Sequence, residues 1–324
     1  MIRKTIALFL WALILTSPTF AQRPKVGLVL GGGGAKGAAE VGALKVIEQA
    51  GIPIDYIAGT SIGAIVGGLY AAGYSAQQLD SMFCQQEWLS MLTDRNSQYS
   101  GEPYATANGV TYIFGFPVMD QNSHAFGVLR GGRVEQTLDS MLAYHGDQVE
   151  FENLKTPFAC VAAEMRTAQE VVLTEGTVPQ AIRASMAIPG IFKPIRINGR
   201  QLVDGGMVNN LPVDVVRQMG ADIVIAIDLQ QSKPKKRKPI DHSVWSLADT
   251  FGVGGLAEWI VSRPDINKYY DNCAKADIYI NPPLPDYEAS SFGNEKMAAM
   301  IVIGEEAAKK QWPQLMQLKE RLGR

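Results

Sequence analysis

Between Tyr56 and Leu69 the chain runs Tyr-Ile-Ala-Gly-Thr-Ser-Ile-Gly-Ala-Ile-Val-Gly-Gly-Leu, a stretch that few folds can carry. Apolar Ile54, Tyr56, Ile57 and Ala58 lead in as a short buried strand. The small and apolar residues from Ile62 to Ala72 lead out as a buried helix. The serine at the centre of Gly59-x-Ser61-x-Gly63 therefore stands on a tight turn, where glycines let the backbone bend sharply and let a second element come close. That geometry pushes a hydroxyl out over the positive end of the following helix. The same five residues also describe a glycine-rich turn whose serine merely caps the helix. With 32 glycines in the chain an isolated match is weak, so the surroundings must decide.

A second glycine turn lies just upstream. Lys25 to Leu30 is apolar enough to be covered on both faces, as in a parallel sheet. Gly31-Gly-Gly-Gly-Ala-Lys-Gly37 follows directly. A helical pattern then runs from Ala38 to Ala50, with Val41, Leu44, Val46 and Ile47 on its apolar side and Gly51 as its stop. Ile52 to Ala58 reads as the second strand. Strand, glycine loop, helix, strand, helix is a βαβ pattern, and it puts both glycine turns at the carboxyl edge of one sheet. There the first loop offers a row of backbone N–H groups beside Ser61, the donors that the oxygen of a tetrahedral intermediate requires. Lys36 brings a positive charge, aimed at the site, at solvent or at an acid. A phosphate-binding P-loop is excluded, because Lys36 is followed by Gly37 and not by Ser or Thr. The spacing Gly32-x-Gly34-x-x-Gly37 fits a dinucleotide loop, but no acidic residue closes the second strand.

Further along, Arg133–Tyr144 and Val178–Met186 read as helices, and Phe158–Ala163 and Glu170–Thr174 as strands. Phe192–Leu202 is read as two short strands turned at Asn198-Gly199. Val213–Met219 is a helix, Asp222–Asp228 a strand, Val244–Val261 a helix, Ala276–Asn281 a strand and Glu295–Leu322 one helix. Between Ser75 and His124 helix cues are few. Its apolar residues, Phe83, Trp88 and Phe114 among them, form either satellite core or an apolar mouth over the serine. The basic run Lys233–Pro239 is a solvated loop or a contact for anionic lipid head groups.

The N-terminus has the build of a secretory signal peptide. Arg3 and Lys4 precede an uncharged apolar run from Thr5 to Leu15, and Thr19-Phe-Ala21 offers a cleavage site before Gln22. No cysteine stands there for a lipid anchor. Residues 1–21 are thus expected to be removed, and residues 22–324 to form a single catalytic domain, exported to the periplasm, the outer membrane or the medium. Losing the two cations takes the formal charge from −2 to −4, so nucleic acid is not an expected partner. Cys84, Cys160 and Cys273 read as small hydrophobes rather than as a disulfide framework or a metal site.

An activated serine needs a base. The chain has only His124, His145 and His242, and none stands in a loop that follows a strand, which argues against a Ser-His-Asp triad. Asp204 ends an apolar strand and is trailed by Gly205 and Gly206. It reads either as a carboxylate base held in a loop tip or as a plain turn residue. An ordinary aspartate with a pKa near ~3.9 is a weak base, and burial would raise it.

Taken together, Gly32-Gly-Gly-Ala-Lys-Gly37, Gly59-Thr-Ser-Ile-Gly63 and Asp204-Gly-Gly206 resemble, in order and spacing, the motifs of the patatin-like phospholipases. Arg183-Ala-Ser-Met-Ala-Ile-Pro-Gly190 and Asn210-Leu-Pro212 are similar too. The resemblance spans Lys25 to Leu229 and points to the exported bacterial branch. It implies a three-layer α/β/α fold with a mostly parallel central sheet. It implies Ser61 as nucleophile, Asp204 as base and the backbone of Gly32, Gly33 and Gly34 as oxyanion hole, with Lys36, Gly37, Gly59, Gly63, Gly205 and Gly206 supporting them. The implied reaction is hydrolysis of lipid acyl esters, typically phospholipids at a membrane surface, without metal or cofactor. Two other readings stand beside it: a lipid-binding or membrane-docking module, and an esterase or thioesterase acting on soluble acyl esters.

Overall fold

The computed structural model describes residues 23–93, 104–105, 110–113, 116–120, 132–142, 150–189, 191–230 and 266–323. The signal segment, the three histidines, Phe114, the basic run and the expected helix at Val244–Val261 lie outside the described residues.

Strands β1 (Val26–Leu30) and β2 (Tyr56–Thr60) pair in parallel, linked by helix α1 (Ala38–Ala50). The αL glycine Gly51 ends α1, and the Ile52 N–H bonds back to Ile47 O. Ile52 is therefore the apolar residue that seals the helix end, not the first residue of the second strand as its hydrophobicity suggests. The strand instead runs on through Gly59 and Thr60, so Ser61 sits directly at its tip. Helix α2 (Ile62–Ala72) follows with the expected bounds.

The next two helices, α3 (Ala76–Gln85) and α4 (Trp88–Thr93), correct the expectation of irregular chain after Ser75. Ser75 and Gln78 form a capping box at the start of α3, and Leu79 and Phe83, four residues apart, face inward. Phe83, Trp88 and Met91 are buried in the main core. A small antiparallel sheet follows, β3 (Tyr104–Ala105), β4 (Val110–Ile113) and β5 (Phe116–Asp120), then helix α5 (Gly132–Leu142).

The main sheet continues with β6 (Phe158–Glu164) and β7 (Glu170–Leu173). Helix α6 (Val178–Ser185) leads to the hairpin β8 (Ile195–Ile197) and β9 (Arg200–Asp204). Asn198 and Gly199 both have positive φ, 49° and 77°, as the tight turn between β8 and β9 requires. Helix α7 (Val213–Gln218), strand β10 (Ile223–Ile227), helix α8 (Ile266–Lys275) and strand β11 (Ile278–Ile280) follow. The tail is two helices rather than one, α9 (Asn294–Lys309) and α10 (Trp312–Arg321). Pro313 lacks an N–H and is tolerated in the first turn of a helix but not in its interior.

Strand order across the sheet is β11-β10-β1-β2-β6-β9-β8, parallel from β11 to β6, with β7 and β9 antiparallel to β6. Helices cover both faces. Val26, Leu28 and Leu30 point into a large core with α1, α2, α6 and α9. Val29, Ala58 and Val161 point into a smaller one under α7 and α8. The period-two alternation of a strand thus divides β1 between two cores, and the three layers are helix, sheet, helix.

The register on β6 explains how the site is assembled. β2 pairs with β6 over Phe158 to Val161, β7 over Cys160 to Ala163, and β9 over Ala162 to Glu164. A strand has only two edges, and β7 overlaps both of the others. So β2 and β9 share the remaining edge, one running up to Val161 and the other down to Ala162. Their ends, Thr60-Ser61 and Asp204, meet head-on.

Candidate active site

Ser61 is the hinge between β2 and α2, and its backbone is strained, with φ 55° and ψ −120°. A non-glycine residue held there costs about 1–3 kcal/mol, which surrounding contacts must offset. Gly59 and Gly63 allow it. A Cβ on Gly59 would lie 2.3 Å from Gly63 O, and one on Gly63 would lie 2.4 Å from Leu30 O. The serine hydroxyl does not cap α2. It donates instead to Asp204 Oδ2 at 2.7 Å. This separates the two sequence readings of the serine on geometry.

Asp204 ends β9, and its other oxygen, Oδ1, accepts the Gly206 N–H at 2.7 Å. The carboxylate is thus a turn residue through one oxygen and accepts the serine hydroxyl through the other. Asp204 is 1% exposed and Ser61 6%. Burial pushes the Asp204 pKa up to about 6, against the pull of hydrogen bonds from Ser61 and Gly206. Gly205 lies so close to β6 that a Cβ there would stand 2.2 Å from Val161 O.

The glycine loop reaches the same place. A Cβ on Gly32 would lie 3.3 Å from Ser61 Cβ and 2.2 Å from Asn210 Oδ1. Its own N–H, however, donates to Asn210 O at 3.1 Å, and its carbonyl accepts from Asn210 Nδ2 at 3.0 Å. Gly32 is therefore clamped by Asn210, whereas the N–H groups of Gly33 and Gly34 have no acceptor among the described residues. Gly34 adopts φ 59°, and Gly37 packs against Ile62 at the start of α2. Lys36 is 5% exposed, so it does not project into solvent.

Residues without an assigned role in the sequence reading complete the frame. Ser185 Oγ accepts the Ser61 N–H at 2.9 Å. Thr60 Oγ1 donates to Asn209 O at 2.9 Å, and Asn209 Nδ2 reaches Glu170 and Asp214. Lys268 on α8 pairs with Asp214 and Glu170, and Asn272 Nδ2 donates to Asn209 Oδ1. Ser185 and Asn210 both lie in motifs visible in the sequence. Asn209 and the α8 residues carry no local signal, because, Asp214 beside Asn209 apart, their partners lie far away in the chain. Among the described residues no three His, Cys, Asp or Glu side chains cluster as metal ligands.

Comparison with known proteins identifies the family. Residues 28–217 match the family described as patatin-like phospholipase. An uncharacterized NTE family protein of Mycobacterium tuberculosis is 34% identical over 224 residues, covering 69% of this chain and 54% of its own length. The human patatin-like phospholipase domain-containing protein 6 is 32% identical over 302 residues, 87% of this chain and 19% of its own length. Lysophospholipase NTE1 of Mycosarcoma maydis is 31% identical over 292 residues, 84% of this chain and 14% of its own length. The chain thus spans about half of its mycobacterial relatives and a smaller part of the others. Among solved structures, VipD from Legionella pneumophila superposes with a TM-score of 0.55 at 13% identity, covering 91% of this chain and 67% of that one, a likeness of fold. By the family match and these relatives, the chain belongs to the patatin-like phospholipase family.

Proposed function

We propose that this protein is a lipid acyl hydrolase working through a Ser61–Asp204 dyad. The observation that carries the reading is the 2.7 Å hydrogen bond from a strained, turn-tip serine to a buried carboxylate. Asp204 takes the Ser61 proton as Oγ attacks the ester carbonyl, and the carbonyl oxygen becomes an oxyanion. The N–H groups of Gly33 and Gly34 receive it. Gly32 supports the loop rather than donating, because its N–H is already bonded. Collapse expels the alcohol, which takes the proton back from Asp204 and leaves an acyl-Ser61. Asp204 then draws a proton from water, which attacks the acyl carbon; as the bond to Ser61 Oγ breaks, Asp204 returns the proton to Oγ and the fatty acid is released. A carboxylate raised to about 6 is ionised at neutral pH yet more basic than an exposed one, which suits this shuttle.

The lysophospholipase name of the fungal relative supports a phospholipid or lysophospholipid ester as substrate class. Export through the N-terminal segment is part of the same proposal, and the first residue of the mature protein, expected at Gln22, tests it. The central experiment labels residues 22–324 with a fluorophosphonate and follows fatty acid release from phospholipid vesicles. Labelling confined to Ser61, abolished in Ser61→Ala along with release, is the expected result. A folded Ser61→Ala that still turns over lipid would end the reading.

A further inference from the structure

The motif Arg183–Gly190 matches the family, yet the chemistry above uses none of it. Ser185 is the last residue of α6 and has no solvent exposure. A serine in a helix commonly returns its hydroxyl to the carbonyl one turn earlier in the same helix. Ser185 does not. Its Oγ donates to Val161 O on β6 at 2.6 Å and accepts the N–H of Ser61 at 2.9 Å. One hydroxyl thereby joins three elements: α6, β6 and the β2–α2 turn. Two residues on, the Ala187 carbonyl accepts the Asp204 N–H at 3.0 Å. Both members of the dyad are held, through their backbone amides, by a single three-residue piece of chain. Helical bonds from Met186 N–H to Ile182 O and from Ala187 N–H to Ala184 O fix that piece.

We propose that Ser185–Ala187 sets the spacing of the dyad, with Ser185 as the positioning residue that holds Ser61 in its strained conformation and so aims its hydroxyl at Asp204. The inference rests on the reading of Ser61 as nucleophile. The Ser61 carbonyl is held by the N–H groups of Ala64 and Ile65. Its amide is held only by Ser185 among the described residues. Without that acceptor a buried N–H loses its partner, and the favoured response is for the turn to relax out of positive φ. The Ser61 hydroxyl moves with it. A second consequence concerns the oxyanion. Because the Ser61 N–H is occupied, it is not available to the substrate oxygen, whereas the N–H groups of Gly33 and Gly34 are.

The test compares first-order rate constants of fluorophosphonate labelling in wild type, Ser185→Ala, Ser185→Cys and Leu318→Val. Each constant is divided by the fraction folded, measured by urea unfolding, so that lost stability alone does not lower it. Leu318 is buried on α10, away from the site, so its variant controls for lost stability alone. Ser185→Ala is expected to label at least about tenfold more slowly, with Ser185→Cys, a near-isosteric but weaker hydrogen-bonding side chain, in between. The acid limb of the labelling profile should also move to higher pH in Ser185→Ala. The Ser61 hydrogen bond holds the Asp204 pKa down, and its loss releases it upward. Leu318→Val should keep both rate and limb. Wild-type rate and limb in either folded Ser185 variant would overturn the positioning role while leaving the hydrolase reading intact. Failure of wild type to label at Ser61 would overturn both. Should Ser185→Ala not fold, Ser185→Cys decides alone.

Discussion

Two aspartates close two strands of this sheet, and both are buried. Asp204 ends β9 and Asp228 follows β10, with 1% and no exposure. Their partners differ. Asp228 accepts from the Tyr269 hydroxyl at 2.5 Å, from the Tyr279 hydroxyl and from the Gln230 N–H at 3.0 Å, and so fastens α8 and β11 to β10. Burial and the Asp228 charge push both phenols well above their ordinary range, so they remain donors. Among the described residues Asp204 accepts only one backbone N–H and one aliphatic hydroxyl, and that hydroxyl is the proposed nucleophile. Burial alone does not make a catalytic base. A carboxylate surrounded by donors fixed in the core is an anchor. One that is sparsely bonded and shares a proton with a serine at a strained turn can do chemistry.

Substitution by asparagine should separate the two most sharply. Asp204→Asn removes the proposed base and is expected to lower kcat by about 10⁴-fold, judging from the loss of single members of comparable serine sites. Asp228→Asn should leave kcat per folded molecule within about threefold and instead cost about 1–3 kcal/mol of stability through mispaired phenols. Fatty acid release and urea unfolding, measured on both variants, check this. A large kcat loss in Asp228→Asn would erase the distinction.

The pH dependence extends the comparison in two directions. Asp204 must be ionised to accept the serine proton, so kcat/KM should rise about tenfold per unit below pH 6 and level off above it. Stability should move the other way. The folded-state pKa of about 6 lies above the unfolded value of 3.8, so the native state binds the proton more tightly, and its stability falls as pH rises between them. Asp204→Asn removes that cost. Relative to the variant, wild type should lose about 3 kcal/mol between pH 3.5 and pH 7. Using the difference matters, because buried Glu40 also has a pKa raised by burial and adds a falling slope of its own. A flat difference across that range would mean that burial does not strain the Asp204 charge.

How much of this was legible beforehand follows from where each signal lies. The helix at Ala38–Ala50 and the turn glycines are local patterns that carried through, and the local candidates Ser61 and Asp204 lie within hydrogen-bond distance of each other. Ile52 misled because an apolar residue that seals a helix end looks like the start of a strand. The helix at Ala76 was readable from Ser75 and Gln78, a capping pair that the apolar count overshadowed. The meeting of β2 and β9 on one edge of β6 was not readable at all. It depends on two pairings distant in the chain, β2 with β6 (Ile57 with Phe158) and β6 with β9 (Ala162 with Asp204), and the contacts of Ser185 with Ser61 and of Asn209 with Thr60 are equally non-local. The candidate residues stand in local motifs, while the register that brings them together emerged only from the folded sheet.

The smallest expected effect tests the anchor itself. Tyr269 on α8 gives its hydroxyl to Asp228, and the neighbouring Lys268 pairs with Asp214 and Glu170. Tyr269→Phe keeps the ring in its apolar setting and removes one donor from a carboxylate that retains Tyr279 and the Gln230 N–H. A hydrogen bond to a charged group contributes about 1.5–3 kcal/mol, and the remaining donors soften the loss, so about 1 kcal/mol is expected. Because α8 also holds Asn209 through Asn272, and Asn209 holds Thr60 beside Ser61, the same variant asks whether the anchor reaches the site. An anchor that only stabilises leaves kcat within twofold and lowers the midpoint of unfolding. A tenfold fall in kcat at unchanged KM would show instead that the Asp228 cluster tunes the dyad, and the contrast between the two aspartates would become a coupling.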